Sequence, residues 1–145
     1  MFETPSHILL VDDEEDFVEM LGLRLKEAGE TVLTAHSGSR CLEILDETDI
    51  DVIILDVKMP EMDGIETLRE VKTRHPLTEV IMLTGHGTVE MAVQGMKLGA
   101  FDFLMKPADF RVVTDKLNQA RQRKHQQLDR IRKAEAAMLL RQAKI

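Results

Sequence analysis

Five polar side chains stand directly after short apolar runs in this sequence, and their types suit one kind of chemistry. They are Asp12, Asp13, Asp56, Thr84 and Lys106. Carboxylates that converge on one point repel each other, so such a cluster either raises a pKa or holds a hard cation. A ligand set made only of oxygen favours Mg²⁺ or Mn²⁺ over Zn²⁺. A carboxylate beside bound Mg²⁺, an ammonium group and a hydroxyl is equipped to attack a phosphoryl group and form an aspartyl phosphate.

The apolar runs that precede these side chains have the length of β-strands. They are rich in branched residues and nearly continuous in apolar character, which is typical of strands buried on both faces of a parallel sheet. The five predicted strands cover residues 7–11, 31–35, 52–55, 80–83 and 101–105.

Helical patterns fill the segments between the predicted strands. Gly29 is expected to end the first helix, and Asp63 with Glu66 three residues later predicts a capping box that opens the third. Residues 108–145 contain no Gly or Pro, so we predict a long fifth helix that starts near Asp109.

Regular alternation of strand and helix predicts a doubly wound α/β fold with right-handed crossovers. Five strands fit the flavodoxin-like order 2-1-3-4-5. In such sheets the ligand site lies beyond the carboxyl ends of the strands, where the strand order switches between the first and third. This rule brings the five polar side chains together at one edge of the sheet.

Length and composition exclude several classes of protein. The chain has 145 residues, of which 43% are hydrophobic and 31% charged, as in one ordinary globular domain. Its aliphatic runs, such as residues 8–11, are short, whereas a membrane-spanning helix needs about 20 apolar residues. The first residues show no basic and apolar pattern, so we do not expect a secretory signal. We therefore expect a cytoplasmic protein without membrane contact, in which the single cysteine, Cys41, is a core residue.

Longer motifs surround the polar positions. They are LVDDE at residues 10–14, DVKMPEMDG at 56–64, LTG at 83–85 and KP at 106–107. In this order they resemble the acidic pair, the phosphorylation loop, the switch threonine and the lysine of the receiver domain of two-component response regulators. The resemblance runs from about residue 8 to residue 116, and four motifs in sequence make it specific.

The resemblance implies how phosphorylation would occur. Asp56 is the expected phospho-acceptor, taking a phosphoryl group from a phosphohistidine on a sensor histidine kinase or histidine phosphotransfer protein. Asp13 is expected to bind Mg²⁺ directly, and Asp12 to bind it through water or to complete the acidic site. The backbone carbonyl of Lys58 is the expected third ligand. The implied function is a phosphorylation-activated signalling switch, not an enzyme that turns over an external substrate.

The resemblance also implies how the switch would respond. Thr84 and Lys106 are expected to contact the attached phosphoryl group, and Phe103 to move inward when Thr84 shifts. Many relatives have tyrosine in place of Phe103, so a hydrogen bond from that hydroxyl is lost here. Lys58 and His86 lie two residues beyond the acceptor and the threonine, and we predict that they set the lifetime of the phosphoryl group.

The C-terminal segment differs in charge from the rest of the chain. Residues 120–145 contain eight Lys or Arg against Asp129 and Glu135, a net charge of +6, which leaves −13 for the remainder of a chain whose total is −7. We divide the chain into a receiver domain, residues 1–119, and a basic helical extension, residues 120–145.

The extension continues an apolar stripe of the predicted fifth helix, which indicates either a homodimerisation segment or a linker to an output domain. Lys124 interrupts this stripe. Direct nucleic-acid binding is not expected, because the segment shows no helix-turn-helix pattern. The stripe consists of Val113, Leu117, Ala120, Lys124, Leu128, Ile131, Ala134 and Met138.

Three other functions fit the same fold. A receiver-like module that binds partners without phosphorylation is the main alternative, although every chemical position is filled. Flavin binding is disfavoured because the first strand-to-helix turn, residues 11–16, is acidic where a phosphate-binding loop would be rich in Gly, Ser or Thr. An aspartate-based phosphatase would carry a second acid two residues after the nucleophile, and that residue is Lys58.

Overall fold

The computed structural model describes residues 7–143 as a five-stranded sheet flanked by helices. The strands are β1 (His7–Val11), β2 (Thr31–Ala35), β3 (Val52–Leu55), β4 (Glu79–Thr84) and β5 (Asp102–Met105). The helices are α1 (Glu15–Glu27), α2 (Gly38–Glu47), α3 (Gly64–Arg74), α4 (Val89–Lys97) and α5 (Phe110–Ala143). Within these residues no helix is both long and apolar enough to cross a membrane.

The sheet confirms the predicted topology. Every strand pairs with its neighbours in parallel, and the order is β2-β1-β3-β4-β5. The predicted bounds of β1, β2 and β3 agree with the structure. Strand β4 is longer than predicted because Glu79 pairs with Val52 and Thr84 pairs with Met105. Strand β5 begins one residue later than predicted, at Asp102.

Side chains alternate along the strands and form a hydrophobic core on each face of the sheet. On β1, Leu9 and Val11 face α2 and α3, whereas Ile8 and Leu10 face α1 and α5. The central strands β1, β3 and β4 are almost completely buried, and the edge strands β2 and β5 are partly exposed. Cys41 lies in the first core and is fully buried.

Local sequence signals account for where several helices begin and end. The Ser37 hydroxyl, the Asp63 carboxylate and the Thr88 hydroxyl each accept a hydrogen bond from a first-turn backbone amide of α2, α3 and α4, respectively. Helices α1 and α4 are followed by Gly29 and Gly99, whose φ angles of +94° and +104° favour glycine.

Helix α5 has a part that is anchored to the body, which consists of the sheet and helices α1 to α4, and a part that projects from it. Its 34 residues make it about 51 Å long. Val113, Leu117, Ala120 and Lys124 are its buried residues, and the stripe beyond them is half-buried at Leu128 and then exposed. Lys124 therefore continues the buried face rather than interrupting it, because its ammonium group finds oxygen partners in the body.

Three basic residues at the start of the extension pair with acidic residues of the body. Arg121 contacts Glu30 at 2.9 Å, and the Lys124 ammonium contacts the Asp51 carboxylate at 2.7 Å. The third is Arg123, which pairs with the buried Glu79 carboxylate. Part of the charge asymmetry seen in the sequence is thus neutralised within the chain.

Candidate functional site

The carboxyl ends of β1 and β3 lie side by side and carry the acidic residues. Val11 is in register with Leu55, and the next residues along the two strands are Asp12 and Asp56. The backbone amide of Asp56 donates to the carbonyl oxygen of Val11 at 2.9 Å, which extends the ladder to Asp56. The strand order thereby brings together two carboxylates that are 44 residues apart in sequence.

Asp12, Asp13 and Asp56 form an acidic cluster. One carboxylate oxygen from each lies within 4.8 Å of the other two. Asp12 and Asp56 are buried, with exposed fractions of 3% and 2%, whereas Asp13 is exposed. The donor set consists of oxygen atoms only and is partly open, which fits a hard divalent cation that keeps some of its water. These residues can therefore hold Mg²⁺ or Mn²⁺.

Lys106 places a positive charge beside Asp12 of the acidic cluster. Its ammonium group donates to Asp12 Oδ2 at 2.6 Å and lies 3.5 Å from Glu14 Oε1. It also lies 3.9 Å from the centre of the Phe17 ring. The other oxygen of Asp12 accepts the backbone amide of Glu14 at 2.9 Å. Both Asp12 oxygens are thus engaged by the protein.

Burial and charge shift the pKa of Asp12 and of Lys106. Burial raises the pKa of Asp12, and the charge of Asp56 adds to this, although hydrogen bonds from Lys106 and Glu14 oppose it. Burial acts to lower the pKa of Lys106. Its hydrogen bond and attraction to Asp12, helped by Asp56 and Glu14, outweigh burial and leave that pKa raised. Lys106 therefore carries its proton at neutral pH.

Thr84 lies at the end of β4, and two further polar residues, Lys58 and His86, lie at the same edge of the sheet. Thr84 is fully buried at the end of β4, and its hydroxyl oxygen accepts the backbone amide of His86 at 3.2 Å. The backbone amide of Lys106 donates to the Thr84 carbonyl at 2.8 Å, so β4 and β5 hold both residues at one edge. Lys58 and His86 line a cleft of about 470 Å³ together with Asp13, Glu14, Asp56, Met59 and Pro60.

Phe103 lies away from the cleft on β5. It is half-buried and packs against the core beneath α4. A Cβ atom on Gly87 would come within 2.7 Å of the Phe103 ring, so the glycine leaves room for the ring beside the β4–α4 loop. Phe103 is thus neither fully inward nor fully exposed.

Comparison with known proteins identifies the family. A family model described as the response regulator receiver domain matches residues 8–118. The chain belongs to the receiver domain family. Its match to the transcriptional regulatory protein GlrR of Escherichia coli (strain K12) is 40% identical over 124 residues, covering 83% of this chain and 28% of GlrR. The chain therefore spans less than a third of the regulator it matches.

Solved structures confirm that the fold is that of a receiver. A receiver domain protein from Clostridium thermocellum superposes with a TM-score of 0.79 at 40% identity, covering 83% of this chain and 97% of that one. NtrX from Brucella abortus superposes with a TM-score of 0.80 at 28% identity, covering 87% of this chain and 29% of NtrX. The chain is accordingly a signalling domain of two-component response regulators.

Two contacts of the receiver site were not foreseen from the sequence. Phe17 lies in the first turn of α1, and its ring faces the Lys106 ammonium. His36 follows β2, and its Nδ1 atom lies 3.1 Å from the carbonyl oxygen of Asp12. Local spacing carries no signal for either contact, because each contact joins residues that are far apart in the sequence.

Proposed function

We propose that Asp56 accepts a phosphoryl group and that this chain is a phosphorylation-activated switch. The observation that carries the proposal is the buried Asp56 carboxylate, which forms one cluster with the carboxylates of Asp12 and Asp13 and lies near the Lys106 ammonium. Membership of the receiver family supports the same reaction.

Mg²⁺ is the proposed cofactor, and Mn²⁺ can replace it. Asp13 and Asp56 would bind the ion directly, together with the backbone carbonyl of Lys58. Asp12 would act through water, because its two oxygens already accept hydrogen bonds from Lys106 and Glu14. When bound, the ion offsets negative charge on the transferring oxygens.

The transfer step is a displacement at phosphorus. An Asp56 carboxylate oxygen attacks the phosphorus atom of a phosphohistidine on a sensor histidine kinase or phosphotransfer protein. The new P–O bond forms as the P–N bond breaks, and the histidine nitrogen leaves with the electron pair and is then protonated. Lys106 and the Thr84 hydroxyl would contact the phosphoryl oxygens, which concentrates positive charge and a hydrogen-bond donor where negative charge is located.

Thr84 and Phe103 form the proposed switch. Movement of the Thr84 hydroxyl toward the phosphoryl group would vacate space, and the half-buried Phe103 ring would move further inward. The ring has no hydroxyl to satisfy, so both positions are accessible to it. Phosphorylation would shift the population between them by the difference in contacts that the two states make.

Lys58 and His86 are proposed to set the phosphoryl lifetime. Both line the cleft that contains Asp56. A water molecule that hydrolyses the aspartyl phosphate must enter this cleft, and the two side chains would shield the phosphorus or orient that water. Spontaneous dephosphorylation of the wild type is to be compared with that of Lys58→Ala and His86→Ala, and unchanged lifetimes would rule out this role.

We further propose that the extension, residues 120–145, is a dimerisation segment or a linker to an output domain. The exposed apolar side chains beyond the anchored part, including Ile131, Met138 and Leu139, support this role. Relatives that this chain matches over only part of their length are named as transcriptional regulators. We propose that nucleic acid is bound by the further domains of such proteins and not by this chain. We also propose that the protein acts in the cytoplasm.

Intact-mass measurement after incubation with acetyl phosphate tests the proposal. The wild type is expected to gain one phosphoryl group only when Mg²⁺ is present, and Asp56→Asn to gain none. Asp46→Asn, at an exposed carboxylate on α2, is the matched control and should be modified like the wild type. Light scattering of the unmodified and the phosphorylated wild type then tests whether phosphorylation controls dimerisation. A wild type that stays unmodified even with its cognate kinase would favour a phosphorylation-independent binding module.

A further inference from the structure

The ammonium group of Lys106 is held by one short segment of the chain. Its neighbours are Asp12 Oδ2 at 2.6 Å, Glu14 Oε1 at 3.5 Å and the Phe17 ring centre at 3.9 Å. Phe17 lies in the first turn of α1, directly after the acidic loop. The Lys106 side chain is only 13% exposed, so the contact between the ring and the ammonium is largely shielded from water.

The ring and the carboxylate act on Lys106 in different ways. A lysine ammonium sits on a flexible stem and can donate in three directions, so one carboxylate fixes a distance but not an orientation. An aromatic face attracts a cation without hydrogen-bonding to it, and this attraction strengthens when water is excluded. The ring thus orients the ammonium and leaves its remaining protons available to other oxygens.

We propose that Phe17 is a positioning residue for Lys106 in the phosphorylation of Asp56. Its ring holds the ammonium beside Asp12, so that the ammonium is already oriented when the phosphoryl oxygens arrive. This inference deepens the proposed function and rests on it. If Phe17 served only for packing, any apolar side chain of similar volume would replace it. Replacement by leucine keeps most of the apolar packing but removes the aromatic face, so it distinguishes the two roles.

The chain supplies a matched control for this replacement. Phe110 is also a half-buried phenylalanine, it packs against the same core as Phe17, and the Arg24 guanidinium lies 4.2 Å from its ring centre. The Phe110→Leu and Phe17→Leu variants should therefore lose similar packing, but only Phe17 faces Lys106.

The first measurement is the rate of Asp56 phosphorylation by acetyl phosphate at saturating Mg²⁺. Phe17→Leu is expected to slow it about fivefold, the equivalent of about 1 kcal/mol. Phe17→Tyr keeps the ring and should restore the wild-type rate, and Phe110→Leu should not change it. In a Lys106→Met background, Phe17→Leu should cause no further slowing. Equal rates for Phe17→Leu and wild type, or additive effects with Lys106→Met, would overturn the inference.

A second measurement needs no phosphoryl donor. The ring face shifts the NMR signals of the Lys106 ε-methylene protons upfield, and this shift should disappear in Phe17→Leu but persist in Phe17→Tyr. A wild type that shows this signature but is never phosphorylated on Asp56 would overturn the proposed function and leave the contact standing. A wild type that is phosphorylated but lacks the signature would overturn only the role of Phe17.

Discussion

Replacing Lys124 with methionine should destabilise the whole domain, although the residue lies in the extension. The Lys124 side chain is 6% exposed, and its ammonium donates to the Ile50 carbonyl at 3.2 Å and to Asp51 Oδ1 at 2.7 Å. Removing one partner of a buried ion pair typically costs about 3–5 kcal/mol. We expect the lower end, about 3 kcal/mol, because Asp51 is 16% exposed and also accepts the His7 backbone amide. Methionine retains most of the aliphatic stem of lysine, so the loss of stability is due mainly to removal of the charge.

Urea unfolding followed by circular dichroism measures this cost. Lys133→Met is the matched control, because Lys133 lies on the same helix in an ion pair with Asp129 whose side chains are 77% and 61% exposed. It should change the free energy of unfolding by less than about 0.5 kcal/mol. Lys124→Met should also lower the melting temperature by roughly 10 °C. Equal stability of the two variants would refute the view that the body anchors the extension at Lys124.

Three further predictions concern single side chains. Burial raises the pKa of the Cys41 thiol to about 12, so alkylation by iodoacetamide at pH 8 should be roughly a thousandfold slower in the folded than in the urea-unfolded protein. A Cβ atom on Gly64 would overlap the carbonyl oxygen of Asp56, so Gly64→Ala should cost about 1–3 kcal/mol in urea unfolding and slow Asp56 phosphorylation by acetyl phosphate. A Cβ atom on Gly87 would lie 2.7 Å from the Phe103 ring, so Gly87→Ala should change the aromatic NMR shifts of Phe103 without preventing phosphorylation.

Much of the fold was predictable because its signals are local. Apolar runs located five strands, and their alternation with helical patterns led to the correct strand order. The bounds were least accurate at β4 and β5. Glu79 and Thr84 are polar, so the apolar pattern did not assign them to the strand. Glu79 nevertheless pairs with Val52, and its carboxylate forms ion pairs with Lys72 and Arg123. Those partners come from other elements, and apolar patterning does not reveal them.

The candidate site was accessible for a related reason. In a parallel sheet, residues that follow the strands meet at one edge, so the topology alone brings Asp12, Asp56 and Thr84 close together. Contacts that depend on the direction of a side chain were not accessible. Phe17 and Lys106 are 89 residues apart, and nothing in either local sequence indicates that the ring faces the ammonium.

The buried position of Lys124 also limits how the extension could serve in its proposed role as a dimerisation segment or linker. Coupling between two sites in a protein is typically about 1–3 kcal/mol, which is no larger than the cost expected for breaking the Lys124–Asp51 pair. A signal of that size cannot readily detach this segment from the sheet. We therefore predict that such a signal would move α5 as one body, so that a partner bound at Ile131 or Met138 would sense the orientation of the helix. Lys124→Met should accordingly weaken a phosphorylation-dependent change in light-scattering mass while leaving phosphorylation of Asp56 intact.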